Sequence, residues 1–193
     1  MALPDNTLSS TPVPGSFIGA AAQPITRAVD YEDGPIALSD PVAGLDYQRW
    51  RMRILNNSQL MLSAPNTPEY EWRSAPAITD VSIAFDQNAN LYCVWVQQGV
   101  SYLYWFDTTA NDFVVTNYGS TWVTPKITLD DKRATQNARS DVILTYVRDG
   151  KLYYRQQRDR FQIERLLDNG PIVGIEKFGK NDGYRLQWLL SRD

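Results

Sequence analysis

The sequence predicts an all-β domain, an antiparallel meander of hairpins preceded by an extended arm. From about residue 42 the chain alternates short apolar runs with polar turns. Asp149-Gly150 stands between two such runs, and this dipeptide readily accepts the positive φ angles of a tight hairpin turn. The chain also holds six tryptophans and eleven tyrosines, residues that favour strands.

Residues 1–41 carry six prolines, at 4, 12, 14, 24, 35 and 41, with no sustained period of 2 or 3.6. Proline fixes φ and removes a backbone donor, so this segment reads as an extended arm or a set of turns. Phe17, Ile18, Ile25 and Val29 are apolar for a solvated tail, which makes them candidate contacts with another chain. Residues 42–193 form the all-β domain. Its first hairpin runs from the alternating Trp50-Arg51-Met52-Arg53-Ile54 through Asn56-Asn57 to Gln59–Ser63, and the proline-interrupted segment 66–77 reads as a loop. A meander of four strands follows: Val81–Phe85, Leu91–Val96, Tyr102–Phe106 and Phe113–Val115. Lys126–Leu129 is a further strand, and residues 130–140 read as a loop or a single helical turn. Val142–Val147 pairs across Asp149-Gly150 with Leu152–Gln156, and Phe161–Leu166 comes next. A last hairpin joins Ile172–Phe178 to Tyr184–Leu190 across Asn181-Asp182-Gly183.

Two stretches share one plan. Val94–Trp105 followed by Phe113-Val114-Val115 parallels Thr145–Arg155 followed by Phe161-Gln162-Ile163: strand, tight turn with glycine, aromatic strand, polar turn, strand. Turns near residues 57, 98, 149 and 182 suit small propeller-like blades. A β-sandwich with uneven loops fits the same periodicity, since both are antiparallel meanders.

A length of 193 residues suits one domain plus an arm, and 43% hydrophobic against 21% charged residues describes a globular chain. The single cysteine, Cys93, lies inside an apolar run and reads as a buried small hydrophobe, so no disulfide framework exists. The N-terminus lacks a basic segment followed by an apolar one, and no window is apolar enough to insert in a bilayer, which predicts a protein made in a cytoplasm and without membrane insertion. The net charge of -3 is unevenly spread: residues 1–125 hold 5 basic and 12 acidic side chains, residues 126–165 hold 10 and 6. Interleaved carboxylates in the basic part disfavour nucleic acid, whereas an acidic front and a basic back suit copies meeting head to tail.

No histidine occurs anywhere, which removes the usual general base, the usual zinc ligand and every Ser-His-Asp or Cys-His arrangement. Paired acids such as Asp130-Asp131 and Glu69 with Glu71 read as solvated turn residues, so no catalytic, cofactor or metal residue is assigned and the chain reads as a non-enzyme. Asn117-Tyr118-Gly119-Ser120-Thr121-Trp122 resembles the second half of the Asp-box turn of sialidase-like propellers, with Asn117 in the place of the Asp. That resemblance implies a structural hairpin corner capped by Trp122. At period two Leu91/Cys93/Trp95 and Tyr92/Val94/Val96 put apolar residues on both faces of one strand, as in a strand covered on both sides, and the aromatic residues Tyr102, Tyr104 and Tyr153 are candidate interface residues. An exposed flat row of them would instead suit a carbohydrate-binding module recognising a host surface glycan.

The string Thr128-Leu129-Asp130-Asp131-Lys132-Arg133, followed by residues 140–161 from Ser140-Asp141-Val142 to Asp159-Arg160-Phe161, resembles a small family of structural proteins of tailed bacteriophages, as does Asp80–Gln87. The resemblance covers roughly residues 28–190. It implies a multi-copy virion component of the tail, tail tip or fibre attachment, with no catalytic residues to carry over. Its partners would be copies of itself and other tail proteins.

Overall fold

The computed structural model describes residues 36–38, 49–65, 67–86, 88–129, 141–180 and 186–192. Within them the chain is almost all antiparallel strand, with one 3-10 turn at Gln157–Asp159. The first sheet holds β1 (Ile36–Leu38), β2 (Arg49–Leu55), β3 (Gln59–Ala64) and β4 (Thr67–Ser74). The second holds β5 (Ile78–Phe85), β6 (Leu91–Gln97), β7 (Val100–Asp107) and β8 (Asp112–Asn117). The third holds β9 (Val123–Leu129), β10 (Val142–Arg148), β11 (Lys151–Gln156) and β12 (Arg165–Asp168). The fourth pairs β13 (Gly174–Lys180) with β14 (Leu186–Ser191).

Strands lie side by side in chain order within every sheet, and the first strands adjoin in the order β1, β5, β9, β13. Of the two architectures compatible with the sequence, the arrangement is therefore the series of blades. Three apolar seams hold the sheets together. Met52, Leu60 and Leu62 meet Ile83, Cys93 and Trp95 between the first and second sheets. Tyr92, Val94, Leu103 and Trp105 meet Ile127, Leu144, Tyr146 and Phe161 between the second and third. Val147 and Leu152 meet Ile172, Ile175 and Leu190 between the third and fourth. Strand β6 explains the lack of alternation in its sequence: Cys93 and Trp95 enter one seam, Tyr92 and Val94 the other.

Each complete sheet closes its middle hairpin through a pair of left-handed residues. Asn56-Asn57, Gln98-Gly99 and Asp149-Gly150 all have two consecutive positive φ angles, which match the right-handed twist of the flanking strands. The expected Asp149-Gly150 hairpin is thus present, with Arg148 opposite Lys151. The Gly150 carbonyl also accepts the Ile172 N–H at 2.9 Å, tying this turn to the start of the fourth sheet.

Four sequence expectations need correction. Segment 66–77 is not a loop, because Thr67–Ser74 is the fourth strand of the first sheet. As an edge strand it tolerates Pro68, being hydrogen-bonded on one side only. Ile36–Leu38 pairs with β2, although it falls within the stretch assigned to the arm. Phe161–Leu166 is a strand only from Arg165, because Arg160 and Phe161 are both left-handed and turn the chain so that Phe161 is buried. Segment 117–122 is a corner, with the Gly119 N–H on Asn117 Oδ1 at 2.8 Å and Trp122 buried, but it links two sheets instead of closing a hairpin. Residues 130–140, the turn at 181–183 and the arm's Phe17, Ile18, Ile25 and Val29 lie outside the described residues. No helix among the described residues is long and apolar enough to cross a membrane.

Candidate functional site

Tyr102 and Tyr104 come together on β7, on an aromatic shelf where the first and second sheets meet. Tyr102 stacks on Trp95 at 5.4 Å between centroids. Tyr104 stacks on Phe113 at 4.8 Å with planes 3° apart, while Trp72 presents its edge at 5.1 Å. Arg73 lies 4.7 Å from the Trp95 ring centroid. Both tyrosines are half-buried by these neighbours, so β7 does not offer the flat, open row that sugar stacking needs. The solvent-facing part of the shelf is Phe113 at 37% exposure, beside Val115 at 45% on the same edge strand. Burial, with Asp112 nearby, pushes the Tyr104 phenol above its ordinary value, so it stays a neutral amphipathic group.

Tyr153 sits elsewhere, on the third sheet, with its ring 6.1 Å from Tyr146 and the Arg148 guanidinium 4.8 Å from its centroid. It borders a closed cluster. Trp122 is stacked between Tyr118 at 4.4 Å and Tyr146 at 3.7 Å, and Arg155 lies 5.2 Å from the Tyr118 centroid. Arg155 donates to Tyr146 Oη at 2.9 Å and to the carbonyls of Phe161 and Gln162 at 2.8 Å. Glu164 accepts from the Tyr146 hydroxyl and takes a bidentate pair from Arg148 at 2.6 and 2.8 Å. Burial first, and the Glu164 hydrogen bond second, push the Tyr146 phenol up, and burial pushes Tyr118 up to about 12. Neither titrates near neutral pH. The cluster satisfies its own donors and acceptors, which makes it a structural lock.

The other buried carboxylates are similarly engaged. Asp86 accepts from the backbone N–H of Asn88 and Asn90 and from Tyr92 Oη, and Gln157 bridges from the third sheet to Tyr92 Oη at 2.7 Å. Asp107 pairs with Arg160 and Asp141 with Arg158. Although burial opposes it, the hydrogen bonds from Arg160 and from the Thr109 and Ala110 amides hold Asp107 below its ordinary value. Among the described residues no group of three or more His, Cys, Asp or Glu could hold a metal ion. Cys93 is fully buried with Sγ 3.6 Å from Met52 Sδ, and burial pushes its thiol far up, so it packs as a hydrophobe.

A separate cleft of about 310 Å³ is lined by Arg49, Arg51, Ser63, Ala64 and Pro65. Arg53, next along the same exposed face of β2, is held by Glu69 at 2.5 and 2.6 Å.

Sequence reasoning missed Trp72 and Tyr70, hidden in a segment read as a loop. Their signal is the alternation of Tyr70 and Trp72 with Glu69, Glu71 and Arg73, masked by Pro68. It also missed the exposure of Phe113 and Val115, since an apolar edge strand looks like a core strand until its neighbours are known. Tyr102, Tyr104 and Tyr153 are real aromatic packing positions, but they do not form one site. Comparisons with family models, curated proteins and solved structures each returned no match.

Proposed function

We propose that the chain is a non-enzymatic structural subunit of a tailed-bacteriophage virion, a multi-copy tail or tail-tip component that packs against copies of itself and other tail proteins. The observation that carries this reading is that four of the seven exposed large apolar side chains among the described residues lie on outer strands. Each of the three complete sheets ends on a strand that shows at least one to solvent: Tyr70 on β4, Phe113 and Val115 on β8, Leu166 on β12. A rim of apolar groups on outer strands is a surface that gains by being covered. The resemblance to phage structural proteins falls largely on β9, β10 and β11, and the uneven charge suits head-to-tail contact.

Sugar recognition is the weaker reading, because Phe113 already covers one face of Tyr104 and Tyr102 lies on Trp95. Sedimentation velocity with light scattering tests the proposal. Full-length protein should form a defined oligomer, and protein lacking residues 1–30 should keep its β circular dichroism but assemble more weakly. A protein that stays monomeric at high concentration and binds glycans on an array would overturn the assembly reading in favour of a carbohydrate-binding module.

A further inference from the structure

Resting on the assembly reading, we infer that the open edge of β14 accepts a strand from residues 25–34 of a neighbouring copy. Three sheets have four strands and the fourth has two, so the outer side of β14 has no ladder partner among the described residues. Exposed strand edges are normally blunted by charge, proline, bulges or shortness. The other terminal strands follow that pattern. Strand β4 carries Pro68, Glu69, Glu71 and Arg73 with two register shifts, and β8 opens on Asp112. Strand β12 has only four residues, bounded by Arg165 and Asp168. By contrast, β14 reads Leu-Gln-Trp-Leu-Leu-Ser, with no charge and no proline. Within it Gln187 is buried, at 4% exposure, and its side-chain oxygen has no hydrogen-bond partner. Its ladder with β13 carries one register shift, but an uncharged, proline-free edge is what strand addition uses.

The donor follows from the arm and from where the blades end. Residues 25–34 lie between Pro24 and Pro35 and contain no proline, so every N–H in them can enter a ladder. In an extended chain Ile25, Val29 and Tyr31 would fall on one side together with Arg27 and Asp33. The arm leads into β1, in the first blade, whereas β14 is in the last, and the first strands adjoin in the order β1, β5, β9, β13. Donor and acceptor therefore belong to opposite ends of the row of blades. Head-to-tail copies bring them together, and such a contact is heterologous, the kind that closes rings.

Cysteine cross-linking of the full chain tests this. Differently tagged Val29→Cys and Leu189→Cys proteins, each with a melting temperature near the parent's, are mixed and oxidised. Cys93 is fully buried and should stay out of the exchange. A mixed disulfide between tags is expected, and in the unmodified protein the amides of residues 186–191 should exchange about tenfold more slowly on assembly. A disulfide that forms only within one chain, in the doubly substituted protein, would overturn the inference. Assembly without protection of 186–191 would also overturn it while leaving the assembly reading intact. A protein monomeric at every concentration would remove both.

Discussion

The seam between the second and third sheets and the seam between the third and fourth are made by the same device, alternate residues of facing strands, yet they differ in substance. The first buries twelve residues, among them Tyr92, Trp105, Trp122, Tyr146 and Phe161. It is crossed by the Gln157–Tyr92 hydrogen bond and the Arg160–Asp107 ion pair. The second buries five aliphatic residues, with Leu167 and Trp188 partly covered against it. Aromatic side chains each bury far more area than Val or Leu, so the seam between the second and third sheets holds more cohesion than the terminal one. The terminal hairpin has the smaller core and, among the described residues, an edge without a ladder partner. A two-stranded sheet is marginal alone, and this one leans on its seam with the third sheet.

Truncating the middle seam should cost most. Phe161 is fully buried, 5.5 Å from the Trp105 ring and 6.2 Å from Tyr92. Phe161→Ala should lower stability by about 3–5 kcal/mol in chemical denaturation. A loss no larger than that of Leu190→Ala, about 2 kcal/mol, would break the contrast between the seams.

Gly170→Ala should act next most strongly, and on the terminal seam. Gly170 has φ +73, and a Cβ there would lie 1.8 Å from the Gly150 carbonyl oxygen. That oxygen holds Ile172, so the substitution must push the fourth sheet from the third. A loss of about 2–4 kcal/mol is expected. Amides of β13 and β14 should become exchangeable before those of β6 and β10. Gly150→Val, with open space around its Cβ but φ +70, should cost less, about 1–2 kcal/mol.

Acid should loosen the middle seam through Asp107. Its folded value lies below its ordinary 3.8, so the unfolded chain takes up the proton first. The stability it contributes is present above that ordinary value and is lost as pH falls through the lower folded one. Denaturation followed from pH 5 downward should show this loss beginning near the ordinary carboxylate range and diminishing in Asp107→Asn. An unchanged acid profile in that variant would assign the loss to other carboxylates.

The smallest effect on stability is expected at the rim. Phe113→Ser should lower stability by about 1 kcal/mol, the cost of its ring contacts with Tyr104 and Phe106 on an edge strand, while weakening assembly measured by sedimentation. A large destabilisation would show that the Tyr104–Phe113 stack belongs to the core.

Local chemistry made much of the fold legible. Tight turns at Asn56-Asn57, Gln98-Gly99 and Asp149-Gly150 follow from residues that accept positive φ, and the apolar runs between them mark β5, β6, β7, β10 and β11 without reference to anything distant. The run Leu91–Val96 also announced burial on both faces, which its two seams bear out. Other features depended on neighbours. Whether a proline-bearing segment is a loop or an edge strand depends on whether β3 stands beside it, so Thr67–Ser74 was illegible. Phe161 belongs to no period because two left-handed residues place it, and its partners Tyr92 and Trp105 are far away in the chain. The choice of blades over a sandwich was likewise tertiary. Meanders of four antiparallel strands read identically in both, and only the adjoining of β1, β5, β9 and β13 distinguishes them. Sequence alone determined the tight turns and most of the strands of the second and third sheets, because those depend on single residues and their immediate φ, ψ and side-chain types. Tertiary structure decided which aromatics are covered, which edge is open and which candidate residues meet, because burial is a property of facing surfaces that no single segment contains.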